Sequence, residues 1–326
     1  MNRYLGIDGG GTKTATCIID PAGTELGRGT AGPGNIATHD DAALASAIQH
    51  AVTQACQQAG LPADNARFAA VCAGVAGYSV EERRAAFEHL LRTLVAADIY
   101  RVEPDYVIAY WGASHGEPGI IVIAGTGAVS FGRNAAGHTC KEDGLGYLLG
   151  DRGSGFNLGL RVLRHTLERM QEGLTDPLAE AIQEHTGART QNAILQWLYG
   201  NFSPARVAAL APLVGQLAEQ GEPHARKHLT EMARRLRHAV RQVRHRLWLP
   251  RDTPVYPLGG LWHISAFLRE EFQEPRWTGE GPIRIEPEEL PGGRFHIVNP
   301  RNDPAYGAAL LALRTHRQNL LGEPPA

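Results

Sequence analysis

The sequence predicts an α/β protein of two domains, and three observations support that prediction. The chain has 326 residues, which exceeds the roughly 250–300 residues at which single hydrophobic cores stop growing. Strand-like and helix-like patterns alternate through the first third of the chain. The pattern that opens the chain then starts again near Gly119, and such internal repetition indicates a duplicated module.

The first domain is predicted over residues 1–117. Short apolar or alternating runs indicate strands, Ala-rich or amphipathic runs indicate helices, and a proline suits the first turn of a helix. The predicted strands are Arg3–Asp8, Lys13–Asp20, Thr24–Gly29, Arg67–Val75 and Tyr100–Val102, and the predicted helices are Asp40–Ala59, Val80–Val95 and Pro104–Ser114.

The second domain is predicted over residues 118–303. It opens with strands Gly119–Ala124 and Ala128–Arg133, and a third strand begins at Gly137. A long helical block follows from about 155 to 247. Strands at Pro254–Leu258 and Arg294–Val298 flank a helix at about 263–272, and a last helix covers Pro304–Asn319.

Each domain opens with a hairpin whose turn is rich in glycine. Asp8-Gly9-Gly10-Gly11-Thr12 in the first corresponds to Ala124-Gly125-Thr126-Gly127 in the second. Both turns lie between strands, which excludes the P-loop and the dinucleotide fingerprint, since each of those leads into a helix. A glycine turn lets backbone N–H groups approach an anion closely. Two such turns at equivalent places favour phosphate binding over ordinary hairpins.

Polar side chains near the two turns fit the same chemistry. Thr12, Lys13, Thr14 and Thr126 offer hydroxyl and ammonium donors to phosphate oxygens. Asp8 ends a strand beside the first turn, and a carboxylate there suits a hydrated Mg²⁺ ion held against phosphates.

Composition and charge exclude several classes of partner. The net charge is −2, so the chain has no global electrostatic reason to bind nucleic acid or an anionic membrane. It lacks an apolar run of the ~18 residues that a membrane span needs, and its start lacks the apolar core of a signal peptide. The four widely spaced cysteines predict reduced, buried thiols. We therefore expect a cytoplasmic protein.

An ordered set of motifs resembles the sugar kinase/Hsp70/actin superfamily. Within it, the chain is similar to the group of N-acetylglucosamine kinases and BadF/BadG/BcrA/BcrD ATPases. The motifs run in family order over nearly the whole chain: Gly6-Ile7-Asp8-Gly9-Gly10-Gly11-Thr12-Lys13-Thr14, Gly34-Asn35, Ala73-Gly74-Val75-Ala76-Gly77, Asp105, Ala124-Gly125-Thr126-Gly127, Gly150-Asp151-Arg152-Gly153-Ser154-Gly155, Leu258-Gly259-Gly260-Leu261 and Tyr306-Gly307-Ala308-Ala309.

The resemblance implies two ribonuclease H-like domains of the actin/hexokinase type around an ATP cleft. The first would be an ATPase lobe, with the C-terminal helix 304–321 packed back near it, and the second a larger lobe with a helical insertion. ATP and Mg²⁺ are the implied cofactors. The phosphates would contact Gly10, Gly11, Thr12, Lys13 and Thr14 from one lobe and Gly125, Thr126 and Gly127 from the other, and adenosine would contact Gly259 and Gly260.

The resemblance also implies the catalytic and sugar-binding residues. Asp105 corresponds to the catalytic base, although Pro104 stands where relatives carry Asn. Asn35, Gly74, Asp105, Thr126 and Asp151 would contact the substrate. Arg152 departs from the Glu of many relatives and points to an anionic group on the acceptor as an alternative.

The sequence leaves three functions open. The first is an ATP-dependent kinase that phosphorylates a hydroxyl, the 6-hydroxyl by expectation, of an amino sugar such as N-acetylglucosamine. The second is a BadF-type ATPase that activates a dehydratase or reductase. The third is a non-catalytic sugar sensor on the same fold. A homodimer is what the resemblance suggests for the assembly.

Overall fold

The computed structural model describes residues 2–11, 13–34, 41–78, 80–274 and 294–322. The chain divides into two compact units. The first unit consists of Met1–Glu117 and Asn299–Ala326, and the second of Pro118–Val298.

Nine strands and eleven α-helices carry labels within the described residues. The strands are β1 Tyr4–Gly9, β2 Thr14–Ile19, β3 Glu25–Ala31, β4 Arg67–Val75, β5 Ala96–Pro104, β6 Gly119–Ala124, β7 Ala128–Arg133, β8 Thr139–Asp143 and β9 Val255–Leu258. The helices are α1 Asp41–Gln58, α2 Glu81–Leu94, α3 Asp105–Ser114, α4 Gly155–Gln171, α5 Pro177–Thr186, α6 Gln191–Tyr199, α7 Pro204–Ala208, α8 Ala211–Glu219, α9 Pro223–Arg246, α10 Ala266–Gln273 and α11 Pro304–Leu321.

The first unit is built on a five-stranded sheet in the order β3-β2-β1-β4-β5. Strands β1, β2 and β3 are antiparallel neighbours, whereas β4 and β5 run parallel to β1. Strand β5 is longer than the predicted Tyr100–Val102, because most of its residues are only half-buried and give no continuous apolar run. The parallel strands bring their carboxyl ends to one edge of the sheet.

Helix α11 packs closely on β1 and α3 because glycines remove side chains from the contact. A Cβ atom at Gly6 of β1 would overlap the backbone of α11 at Ala305 and Ala309. One at Gly112 of α3 would overlap the Asp303 carbonyl, and one at Gly307 would overlap the backbone of α3. The Tyr-Gly-Ala-Ala run of α11 is therefore a packing motif of the first unit.

The second unit repeats this plan with a four-stranded sheet in the order β8-β7-β6-β9. Strands β6, β7 and β8 are antiparallel neighbours and β9 is parallel to β6. The order matches β3-β2-β1-β4 of the first unit. The two sheets confirm the predicted α/β class and the duplicated arrangement.

The predicted strand at Arg294–Val298 is wrong. Its described backbone forms a single parallel bridge, from Ile297 to Val255 of β9. Val255 donates its N–H to His296 (2.9 Å) and accepts that of Val298 (3.0 Å). Two residues further along the same edge of β9, Pro257 has no N–H to continue the ladder, so the pairing stops there.

The predicted helical block comprises the six helices α4 to α9. Helix α9 buries the apolar stripe that includes Leu229, Leu236 and Val243, as its spacing predicts. Arg237 of the same helix is buried as well, and it donates to the carbonyls of Phe272 and Gln273 at the end of α10. No helix in the described part of the chain is long and apolar enough to span a bilayer.

We expect Gly6→Ala to destabilise the first unit by about 1–3 kcal/mol, because the added methyl group would have to displace the backbone of α11. Urea unfolding measures the change. Gly32→Ala is the control, since a Cβ atom at Gly32 meets nothing within 4 Å, and it should shift stability by no more than about 0.5 kcal/mol. Equal stability of the two variants would contradict this account of the packing.

Candidate functional site

The first glycine turn is held by backbone hydrogen bonds. Gly10 donates its N–H to Lys13 across the turn (3.1 Å). On its flank, Gly34 donates to Gly10 (2.9 Å) and Thr14 donates to Gly32 (2.8 Å). Gly11 and the side chain of Lys13 are exposed at the tip. The turn therefore presents a fixed backbone with an ammonium group beside it, whereas Thr12 lies outside the described residues.

Thr14 lies at the base of this turn. Its side chain is fully buried, and its hydroxyl has no hydrogen-bond partner among the described residues. A Cβ atom at Gly34 would overlap this hydroxyl. The side chain thus packs beneath the turn, and its predicted contact with phosphate stays a prediction.

Carboxylates gather at the carboxyl edge of the parallel strands. Asp8 of β1 lies in register with Gly74 of β4, and Gly74 with Glu103 of β5. Asp105 follows two residues later as the first residue of α3. Burial raises the pKa of Asp8 to about 7, with further increases from the charges of Asp105 and Asp303 that Lys13 opposes. The edge therefore concentrates negative charge that a cation would offset.

Asp105 is oriented by the start of α3. Pro104 occupies the N-cap position and no side chain caps the helix. The carboxylate of Asp105 accepts the N–H of Tyr106 (2.8 Å). Gly74 supports the same helix, because a Cβ atom there would overlap the side chain of Ile108. Gly74 thus has a packing role that the sequence analysis did not predict, while its substrate contact stays a prediction.

Asp303 belongs to this acidic edge, and sequence reasoning missed it. It is the N-cap of α11, where it accepts the N–H of Tyr306 (3.0 Å), and it forms an ion pair with Arg28. The Asp-Pro pair at the start of α11 is a recognisable helix-start signal. That signal predicts the cap, but it gives no information on the nearness of Asp303 to Asp8.

The second glycine turn is joined to the start of α4. Gly125 donates to Gly127 within the turn (2.9 Å). Gly155 and Phe156, the first residues of α4, donate to the carbonyls of Gly125 (2.8 Å) and Thr126 (3.3 Å). A Cβ atom at Gly125 would meet nothing within 4 Å. One side of this turn is therefore open to a ligand, and the helix holds the other side.

Asp151 lies against the same turn. It is buried with a positive φ of 55°, and a Cβ atom at Gly127 would stand 2.9 Å from its Oδ2 atom. The N-cap of α4 is Ser154, whose hydroxyl accepts the N–H of Asn157 (3.1 Å). Capping therefore does not explain why an acid stands at position 151.

Asp143 is a second residue that sequence reasoning missed. Its carboxylate accepts the N–H of Asp151 (2.6 Å) through one oxygen and that of Arg152 (2.9 Å) through the other. Asp143 itself has a φ of 65°, a conformation that Asp and Asn tolerate better than most residues. It fixes the backbone that carries Asp151. The sequence offers only an acid at the end of a strand as a signal.

Gly259 and Gly260 follow β9 at the same end of the second sheet. Gly259 has a φ of 98°, and a Cβ atom there would overlap the backbone of Ala124. A Cβ atom at Gly260 would meet nothing within 4 Å. Gly259 is thus required by the close approach of the turn to β6, whereas Gly260 leaves open space.

The predicted residues therefore form two groups, one in each unit. The first unit holds Asp8, Gly10, Gly11, Lys13, Thr14, Gly74 and Asp105, and the second holds Gly125, Thr126, Gly127, Asp151, Gly259 and Gly260. Asn35 lies outside the described residues, as Thr12 does.

Two repeats of one sheet plan, each with a glycine turn after its first strand, define an actin-like ATPase fold of the type used by sugar kinases. The chain belongs to the BadF/BadG/BcrA/BcrD ATPase family, whose model matches residues 5–312. This confirms the family expected from the motifs.

Two curated relatives and a solved structure agree with this assignment. The chain is 28% identical to N-acetyl-D-glucosamine kinase of Dictyostelium discoideum, over 96% of this chain and 98% of the relative. It is 26% identical to N-acetylmuramic acid/N-acetylglucosamine kinase of Clostridium acetobutylicum, with the same coverage. A solved structure from Chromobacterium violaceum, provisionally described as an N-acetylglucosamine kinase, is 28% identical with a TM-score of 0.74, over 96% of this chain and 99% of that one.

We expect Asp143→Asn to loosen the backbone at positions 151 and 152. The amide side chain keeps one oxygen, so one of the two N–H groups loses its acceptor. Hydrogen exchange at Asp151 and Arg152, followed by mass spectrometry, should become about tenfold faster. Glu142→Gln, which alters the ion pair with Arg246, is the control. Unchanged exchange in Asp143→Asn would show that Asp143 does not hold this segment.

Proposed function

We propose that this protein is an ATP-dependent sugar kinase that transfers the γ-phosphate of ATP to a hydroxyl of an amino sugar. The observation that carries the proposal is the placement of Asp105 at the carboxyl edge of the first sheet, where it interacts with Asp8. Both named relatives are sugar kinases that match nearly the whole chain. Phosphotransfer to an alcohol accounts for both findings.

Asp105 acts as the base in this proposal. Its carboxylate accepts the proton of the sugar hydroxyl while the hydroxyl oxygen bonds to the γ-phosphorus. The bond from that phosphorus to the bridging oxygen breaks, and ADP leaves. In the first unit, Gly10, Gly11, Thr12, Lys13 and Thr14 bind phosphate oxygens. In the second unit, Gly125, Thr126 and Gly127 do so, and Gly259 and Gly260 contact the adenosine.

The acidic edge fits Mg²⁺. Carboxylate oxygens are its preferred protein ligands, and Asp8 stands where burial and two neighbouring acids favour a compensating cation. When bound, Mg²⁺ neutralises phosphate charge that builds up during transfer. Asp8 would hold it through bound water, and the ammonium group of Lys13 supplements the positive charge.

N-acetylglucosamine is the acceptor we propose, with the 6-hydroxyl as its target. The names of both relatives include this sugar. Asp151 offers two carboxylate oxygens to sugar hydroxyls, and its backbone is fixed by Asp143. Asn35 and Gly74 are further proposed contacts. Coupled ADP release with N-acetylglucosamine, glucosamine, N-acetylmannosamine, N-acetylmuramic acid and glucose tests the assignment, and no release with any of them would favour a sugar sensor.

An anionic amino sugar is the second candidate acceptor, and Arg152 favours it. The side chain of Arg152 is exposed beside Asp151, and its charge suits a carboxylate on the substrate. N-acetylmuramic acid carries such a carboxylate, and the relative from Clostridium acetobutylicum is named for that sugar as well.

Three of the four cysteines do not fit the alternative of a dehydratase or reductase activator. That function requires thiolates that bind an iron–sulfur cluster. Cys17, Cys56 and Cys72 are buried in the first unit, and burial raises the pKa of all three thiols. Buried neutral thiols are poor ligands, which supports the kinase.

We propose that the protein is a homodimer, which is what the family resemblance suggests, and that it is cytoplasmic, in line with its buried free thiols. Sedimentation equilibrium at micromolar protein concentration tests the stoichiometry, and a mass near 35 kDa, that of one chain, would refute the dimer.

We expect Asp105→Asn to lower kcat by about 10²- to 10⁴-fold, the usual contribution of a general base, while ATP binding persists. Coupled ADP release measures turnover, and calorimetry measures nucleotide affinity. Asp98→Asn is the matched control, since Asp98 lies on β5, the strand that leads into α3, is exposed and pairs only with Arg67 in the described structure. Full turnover in Asp105→Asn would remove Asp105 from the mechanism.

We expect Arg152→Glu to shift the ratio of kcat/KM for N-acetylmuramic acid over N-acetylglucosamine downward by about two- to thirtyfold. Charge reversal replaces an attraction with a repulsion, each worth about 0.2–1 kcal/mol at an exposed site. Arg164→Glu on α4 is the control, because this exposed arginine is ten or more residues along the chain from Asp151. An unchanged ratio would separate Arg152 from substrate choice.

A further inference from the structure

A cluster of metal-ligating side chains lies in the helical part of the second unit, on residues that the proposed kinase reaction does not use. His165 projects from α4, Asp176 precedes α5, and His224 lies in the first turn of α9. One potential ligand atom from each of them lies within 4.8 Å of the other two. Within the described residues, this is the one group of His, Cys, Asp or Glu side chains whose ligand atoms lie so close together.

The individual contacts are short. His165 Nε2 stands 2.8 Å from Asp176 Oδ2, and His224 Nε2 stands 3.8 Å from the same oxygen. The rings of His165 and His224 are 4.7 Å apart between centroids. Ligand atoms around a tetrahedral Zn²⁺, with bonds of about 2.0–2.2 Å, are about 3.3–3.6 Å apart. Small side-chain rotations would therefore bring all three atoms to bonding distance.

The surrounding structure orients the carboxylate of the cluster and leaves one of its histidines open to solvent. The other oxygen of Asp176 accepts the N–H of Ala179 (2.8 Å) and so fixes the carboxylate at the start of α5. His165 is buried, whereas His224 is about 39% exposed and opens the cluster to solvent. An ion could therefore enter from one side and retain a water as its fourth ligand.

His228 adds a second observation. It lies four residues after His224, and residues at that spacing share a face of a helix, as the histidine pairs of helical zinc sites do. Its Nδ1 atom is buried and has no hydrogen-bond partner among the described residues, and its ring lies 5.5 Å from that of His165. Arg161 and Lys227 bring positive charge near His228. Glu231 stands 3.8 Å from Arg161 and offsets the charge of that residue in part.

We propose that His165, Asp176 and His224, with His228 beside them, form a binding site for a zinc-like divalent transition metal ion. Two or three imidazoles and one carboxylate select Zn²⁺, Co²⁺ or Ni²⁺ over Mg²⁺ and Ca²⁺, which prefer oxygen ligands. The bound ion joins α4, α5 and α9. Its role is structural, and it is independent of the Mg²⁺ that accompanies ATP.

Zinc binding to the full chain tests the proposal. Protein stripped with a chelator and dialysed is titrated with ZnCl₂ against a chromogenic chelator, and retained zinc is counted by mass spectrometry. We expect one saturable ion per chain, a higher melting temperature with zinc, and no displacement by excess Mg²⁺. Co²⁺ should give the visible spectrum of a tetrahedral site.

Substitutions identify the ligands. His165→Gln and His224→Gln should each weaken zinc binding at least tenfold, and Asp176→Asn, which keeps an oxygen for capping α5, should do the same. His238→Gln is the matched control, since His238 is an exposed histidine of α9 outside the cluster.

The same experiment distinguishes a loss of zinc binding from a loss of folding. If His165→Gln fails to fold, the half-exposed His224→Gln decides the question, after its melting in chelator is compared with that of the parent. No saturable binding, or equal affinity in the parent and in His224→Gln, would overturn the proposal. Because the readout is metal binding, failure of the kinase assignment would leave its outcome unchanged.

Discussion

The central constraint on the first unit is the desolvation of the half-buried Asp8 carboxylate beside two other acids. Taking a carboxylate out of water and placing it near like charges costs free energy, and the raised pKa of Asp8 reports that cost. Close backbone packing elsewhere in the unit offsets that cost, because Gly6 and Gly112 allow α11 to lie directly on β1 and α3. That packing also brings Asp303, the N-cap of α11, to the acidic edge. The same contacts that stabilise the fold therefore assemble the charge that the chemistry needs.

The duplication explains why the two glycine turns differ in chemistry. Each follows the first strand of its sheet, but Asp8 of the first unit corresponds to Ala124 of the second. Ala124 is fully buried, and Gly259 approaches its backbone so closely that even a methyl group at 259 would not fit. A carboxylate at 124 would be buried with no lysine next to the turn to offset it. The first glycine turn thus follows a carboxylate, whereas the second follows a neutral alanine.

Local sequence patterns predict many of the strands and both glycine turns. Apolar strands such as Arg67–Val75 and Gly119–Ala124 have the predicted bounds, and both glycine turns lie where the sequence indicates. The failures have long-range causes. Pro257 lacks the amide hydrogen that would extend the pairing of β9 with a segment some 40 residues away. The carboxylate of Asp143 accepts an N–H eight residues further along the chain, across a loop whose path no sequence pattern predicts. Asp303 approaches Asp8 only because helix packing joins the two ends of the chain.

Helix α4 connects two features of the second unit that are separate in the sequence. At its start, the N–H groups of Gly155 and Phe156 bond the second glycine turn, and Ser154 caps the helix. Ten residues on, about 15 Å along the axis, His165 bonds Asp176 and so ties α4 to α5. A helix of this length is stiff, and fixing it at His165 limits how its first turn can move. The order of the glycine turn therefore depends on the helical block as well as on the sheet, which gives those helices a role in the site beyond filling the core.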